Sequence, residues 1–280
     1  MDRDFRRGYL LIDFPTEPFD SVGRVLLRST RLFFSTLPFL ATVTLLVMVP
    51  GKLLVQSLEF LLDVPQEGIL SCFLMDLTDL ALGALVAPAA IYGLIEVLRS
   101  GRPAPAGECL RWGARMWSRS LWNQFKVEIT VALWSLLLVV PGLVAMLRLT
   151  FTQTVVAIEA DRVTEVLARS RQLSAGRLWR ILAALLPAVP IGAIHMYAGM
   201  RALQYSRWLE APVDAVLAVA DQWMTAAVLL MYLGLTQAAV ELKGAQPEGL
   251  QPDRHGFERN RRGDGAPGGR SGRARADRRR

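Results

Sequence analysis

Residues 32–51 run for twenty positions without a charged side chain. A soluble helix of that length keeps one polar face. A stretch with none matches the roughly 20 residues that a helix needs to cross about 30 Å of hydrocarbon. Further apolar runs follow at 80–95, 125–140, 143–160, 181–200 and 223–240. With 52% hydrophobic residues over 280 positions, the excess apolar content lies in these runs. The expectation is an all-α, polytopic membrane protein with six transmembrane helices. The N-terminal stretch 1–20 carries charge throughout and has no cleavable apolar core, so the first run is expected to act as an uncleaved anchor.

Charge gives the orientation. Segments 1–31, 99–126, 161–180 and 243–280 hold 6, 6, 5 and 11 Lys/Arg, which is 28 of the 32. The remaining four are Lys52, Arg148, Arg201 and Arg207. All four basic segments share one face only with six spans, and the positive-inside rule then places both termini in the cytoplasm. Glu59, Asp63, Glu67, Glu210 and Asp214 make the opposite face acidic, with 59–67 read as an acidic loop. Cys72 and Cys109 fall on opposite sides in this topology, which argues against a disulfide.

Three stretches share a plan. Val-x-x-Val-Leu-x-Arg-Ser occurs from Val22 to Ser29 and again from Val163 to Ser170, each followed by an apolar run and Val-Pro. Residues 108–142 repeat the plan with a longer, Trp-rich entry through Trp112, Trp117 and Trp122. The spacing predicts amphipathic lead-in helices on the membrane surface, each entering a span. Residues 163–182 are the clearest copy, read as one helix that dives into the bilayer at Trp179-Arg180. The predicted units are 21–98, 107–160 and 162–242. They sit between a cytoplasmic segment 1–20 and a basic tail 243–280, expected to be disordered from its Gly, Pro and Arg content. Pro50-Gly51 is read as ending or kinking the first span and Pro141-Gly142 as a turn. Pro187 and Pro190 predict a bend in the fifth span, and a loop is expected around Arg201–Asp214. Gly83/Ala87 and Ala89/Gly93 are small-residue pairs that let helices approach closely.

One resemblance rests on specific residues. Leu167, Arg169, Ser170, Leu173, Gly176, Trp179, Arg180 and Ile181 form one motif; Pro141, Gly142, Leu143, Arg148, Leu149, Phe151 and Glu159 form the one before it. Together they resemble the bacterial membrane families grouped near the glycerophosphoryl diester phosphodiesterase membrane domain and its six-span relatives. The resemblance spans about residues 20–242 and departs from those families at Ala175 and in the basic tail. It implies an inner-membrane module without the separate soluble domain that carries catalysis in the phosphodiesterases.

The candidate chemistry is sparse. No HExxH, GxSxG, P-loop or dinucleotide fingerprint occurs, and no Cys, His or carboxylate set has metal spacing, so neither an enzyme nor a cofactor is expected. His195 stands alone in the fifth run. Asp76 and Asp79 stand three residues apart, on one helical face. They form an intramembrane proton or cation site, or they sit in the outer headgroup layer. Arg148 snorkels to the interface, pairs with a carboxylate or binds a lipid phosphate. Glu159 and Asp161 lie within reach of Arg169, Arg177 or Arg180. Arg28, Arg115, Arg169, Arg177 and Arg180 belong to a cytoplasmic collar that either binds anionic headgroups or only sets topology. The tail is expected to have no specific nucleic-acid partner. The leading expectation is a non-enzymatic module that interacts with bilayer lipid or with a partner membrane protein. A transporter or permease component, and a membrane subunit accessory to a phosphodiesterase-like enzyme, are the alternatives.

Overall fold

The computed structural model describes residues 21–64, 68–159, 163–205 and 207–244. Segment 1–20, Glu67, Asp161, Arg162 and tail residues 245–280 lie outside them, as do the side chains of Cys72, His195 and Glu210. Met1–Ala238 cluster as one compact unit and Ala239–Arg280 as another. The described residues are helical, without strands.

Helix α1 is Val22–Leu61, a single 40-residue helix. Ser21 precedes it in extended conformation, but its hydroxyl accepts from the Arg24 side chain rather than from a backbone N–H. Pro38 and Pro50 lie inside α1. Pro50 therefore does not end the span, and Glu59 belongs to the helix rather than to an acidic loop. Proline removes one helical N–H, a loss that neighbouring elements compensate in a packed membrane helix. Helix α2 is Ile69–Ser100. It begins well before Leu80, so Asp76 and Asp79 sit on its second and third turns.

Helix α3 is Ala106–Leu137, again with entry segment and span in one rod. The chain reverses at Leu138, one extended residue with φ −165° and ψ 146°. Pro141 and Gly142 thus lie in the first turn of α4, Val139–Leu149, and do not make the turn. A Cβ on Gly142 would lie 2.1 Å from Ser135 Oγ, so the two legs of this hairpin touch. Helix α5 is Thr152–Glu159, separated from α4 by a turn at Thr150-Phe151.

Only the third copy has a separate lead-in helix. Residues 163–182 form α6, Val166–Ser174, and α7, Leu178–Leu185. Gly176 separates them at φ 72°, a left-handed conformation that costs glycine no Cβ clash. Helix α8 is Ala188–Tyr205, so the break predicted in the fifth span falls at Leu186-Pro187. Helix α9 is Arg207–Gly244 and takes up Asp214, which was expected in a loop.

Among the described residues, four helical segments are long and apolar enough to cross a membrane: α1, α2, Val139–Glu159 and, within α9, Ala211–Thr236. The runs 125–140 and 181–200 are not among them. Lys126 and Glu128 interrupt the first, and the second is divided between α7 and α8. The core gathers Leu40 and Val43 of α1, Ile91 and Leu94 of α2, Phe151 just before α5 and Val155 within it, Ile181 of α7, and Leu229 and Met231 of α9.

Helix α2 packs most extensively on α3. A Cβ on Gly113 would lie 2.5 Å from the Leu85 carbonyl oxygen and 3.0 Å from Ala89 Cβ, so backbone meets backbone there. Gly93 likewise receives the Phe39 ring, whereas Gly83 has nothing within 4 Å. Of the expected small-residue pairs, Ala89/Gly93 mediates close approach and Gly83 does not. Trp117 donates to the Ala81 carbonyl at 2.8 Å and Trp112 stacks on Tyr92, so these two rings are spent on α2. Trp122 stays 59% exposed, with Lys126 over its ring.

Candidate functional site

A polar stripe runs along the C-terminal half of α1. Thr44, Lys52, Gln56 and Glu59 are all buried, at spacings that keep them on one helical face. Lys52 Nζ lies 2.5 Å from Asp79 Oδ1 of α2 and donates to Asp214 Oδ2 of α9. About two turns further along, Ser71 of α2 donates to Glu59 at 3.0 Å. The lysine is 5% exposed, Asp214 is 18% exposed and Asp79 is 49% exposed. A buried ammonium is tolerable only when paired in this way. Among the expected residues, Asp79 joins this cluster, while Asp76 is exposed. Lys52, Asp214 and Glu59 were missed as partners, although the four-residue rhythm from Thr44 through Met48, Lys52 and Gln56 continues past Pro50.

A second constellation ties the end of α5 to α6 and α9. Glu159 Oε2 accepts from Arg169 Nε at 3.1 Å, and Glu159 Oε1 accepts from the Tyr232 hydroxyl at 2.5 Å. Ser170 and Ser174 donate to the Arg148 carbonyl at 2.9 and 3.2 Å. Arg119 donates to the Val163 carbonyl at 2.5 Å. Arg169, expected in the lipid-facing collar, therefore holds α6 against α5. Arg28 and Arg115 are exposed on α1 and α3, Arg180 is exposed on α7 and Arg177 is half-buried just before it. The arginines do not converge on one point. They flank separate elements, and Arg148 and Arg171 line one common cavity.

Cys109 is fully buried, its Sγ 3.8 Å from the Ala104 carbonyl oxygen. Burial first, and then the Glu108 carboxylate beside it, push its thiol up from 9.0 to about 12. The thiolate is the reactive form. With Cys72 replaced by Ser, we expect no maleimide labelling of the folded protein near neutral pH and full labelling after denaturation. Rapid labelling without denaturant would contradict this placement. The sign of the pH effect follows: the unfolded thiol ionises first, so stability declines as pH rises from about 9.0 towards 12.

Among the described residues, no group of three or more His, Cys, Asp or Glu is placed to hold a metal ion. The acidic members of the first cluster are instead engaged by Lys52 and Ser71. The arrangement can hold charge inside a bundle and present arginine at its edge. Comparison with protein-family models, with curated proteins and with solved structures finds no match.

Proposed function

We propose that this chain is a non-enzymatic, multi-pass module of a bacterial inner membrane that works by engaging bilayer lipid. The α3–α4 hairpin carries the reading. Residues 132–140 are all exposed, including Leu136 at 86% and Val139 at 81%. A continuous apolar tip of this kind marks a surface that meets lipid or another protein. At the reversal the Leu138 N–H donates to the Trp134 carbonyl and the Gly142 N–H to the Leu138 carbonyl. On this reading there are six membrane-embedded segments: the four long apolar ones, the outer part of α3, and α7 with α8. Three tandem units and two cytoplasmic termini follow from the placement of the basic segments. The resemblance to the glycerophosphoryl diester phosphodiesterase membrane domain supports a module of this type rather than an esterase.

A photo-crosslinking amino acid at Leu138 in native membranes tests the reading. The expected product is a lipid adduct. Adducts to protein alone would overturn it in favour of a docking surface for a partner membrane protein.

A further inference from the structure

Where α3, α4 and α6 meet, a cavity of about 220 Å³ opens. Thr130 and Trp134 of α3, Pro141, Val144 and Arg148 of α4, and Arg171 of α6 line it. Apart from one hydroxyl and two guanidiniums, these walls are apolar. Both arginines are exposed, and neither guanidinium has a hydrogen-bond or ion-pair partner among the described residues. Their position is held from behind. Ser170 and Ser174 flank Arg171 in sequence, and both donate to the Arg148 carbonyl, which pins the end of α4 to α6.

Two unpaired guanidiniums at an apolar opening favour an anion. The planar fork of arginine matches phosphate oxygens in a bidentate way that lysine does not. The lining contains no carboxylate. A zwitterionic headgroup would therefore bring its ammonium beside two cations with no counter-charge to meet it. Size decides between a soluble ligand and a lipid. Sites that enclose a whole small molecule run to about 300–1,000 Å³, and 220 Å³ is below that range. The space suits the phosphate end of a lipid whose chains stay outside. Immediately outside are the exposed Leu133, Leu143 and Met146 of the same hairpin.

We propose that this cavity binds one anionic phospholipid, with its phosphate between Arg148 and Arg171 and its acyl chains along the α3–α4 hairpin. The inference rests on the lipid-facing reading of that hairpin and gives it a headgroup preference. Each arginine near anionic lipid contributes on the order of 1 kcal/mol, so loss of both weakens binding about thirtyfold.

The test uses the full-length protein in mixed micelles, with dioleoyl phosphatidylglycerol or dioleoyl phosphatidylcholine titrated in and retention read by native mass spectrometry. One phosphatidylglycerol per chain is expected, with phosphatidylcholine much weaker and millimolar inorganic phosphate unable to displace the lipid. R148Q/R171Q should weaken phosphatidylglycerol about thirtyfold. R99Q/R102Q, at exposed positions outside the cavity, should leave it unchanged. V144W, which fills the cavity and keeps both charges, should also weaken binding and covers the case in which the double variant fails to fold. Equal retention of the two lipids, unchanged affinity in both cavity variants, an equal loss in R99Q/R102Q, or displacement by inorganic phosphate would each overturn the proposal. Failure here with lipid adducts still forming at Leu138 removes the headgroup site alone. Loss of those adducts removes the lipid-facing reading as well.

Discussion

Lys52→Met is expected to lower folding stability by about 3–5 kcal/mol, the range for removing one partner of a buried ion pair. The loss arises from what is left behind. Asp214 is 18% exposed and loses its cation, while the buried Glu59 adds like charge about two turns away on α1. Asp79→Asn is expected to cost far less, within about 1 kcal/mol, because that carboxylate is 49% exposed and water already screens it. Asp214→Asn should fall between the two. The double variant K52M/D214N should recover at least half of the K52M loss, since it removes charge and counter-charge together. Denaturant titration in mixed micelles measures the series. A K52M protein as stable as the wild type would show that Lys52 is not enclosed by α1, α2 and α9.

Glu159 is expected to give the second-largest effect. Its carboxylate is 13% exposed and takes charge-assisted bonds from two helices, Arg169 of α6 and Tyr232 of α9. Hydrogen bonds to a charged group contribute about 1.5–3 kcal/mol each. The Arg169 side chain is 36% exposed, which places its share at the low end. Tyr232→Phe should therefore cost about as much as Glu159→Gln. The double variant should cost less than the sum, because Tyr232→Phe removes a bond that Glu159→Gln has already weakened by taking away its charge. The same titration reads all three, and strict additivity would contradict a shared contact.

The two clusters differ in how far they were legible. Glu159 and Arg169 are 10 residues apart, so local helix geometry was enough to name Arg169 among the candidate partners. Lys52 and Asp214 are 162 residues apart, and no local pattern connects them. Two readings also hid them. Pro50-Gly51 looked like the end of a span, yet helix α1 runs through both. Asp214 looked like a loop residue because Arg207, Glu210 and Asp214 crowd together, yet all belong to α9. The apolar runs were legible because the hydrocarbon requirement acts on composition directly. The reversal at Leu138 was not, since leucine has no turn preference and the proline three residues on drew the turn to itself. The break at Gly176 was likewise masked, because apolar spacing continues across it from Leu173 to Leu178.

The central claim is a chain that crosses the membrane several times with its basic segments on the cytoplasmic side. Paired reporter fusions test it most directly: one after Gln251 in the tail, one after Asp63 in the turn between α1 and α2. A reporter that works only in the cytoplasm should be active at Gln251 and silent at Asp63, and one that works only outside should show the reverse. Outside activity at Gln251, or the same side for both positions, would contradict the account.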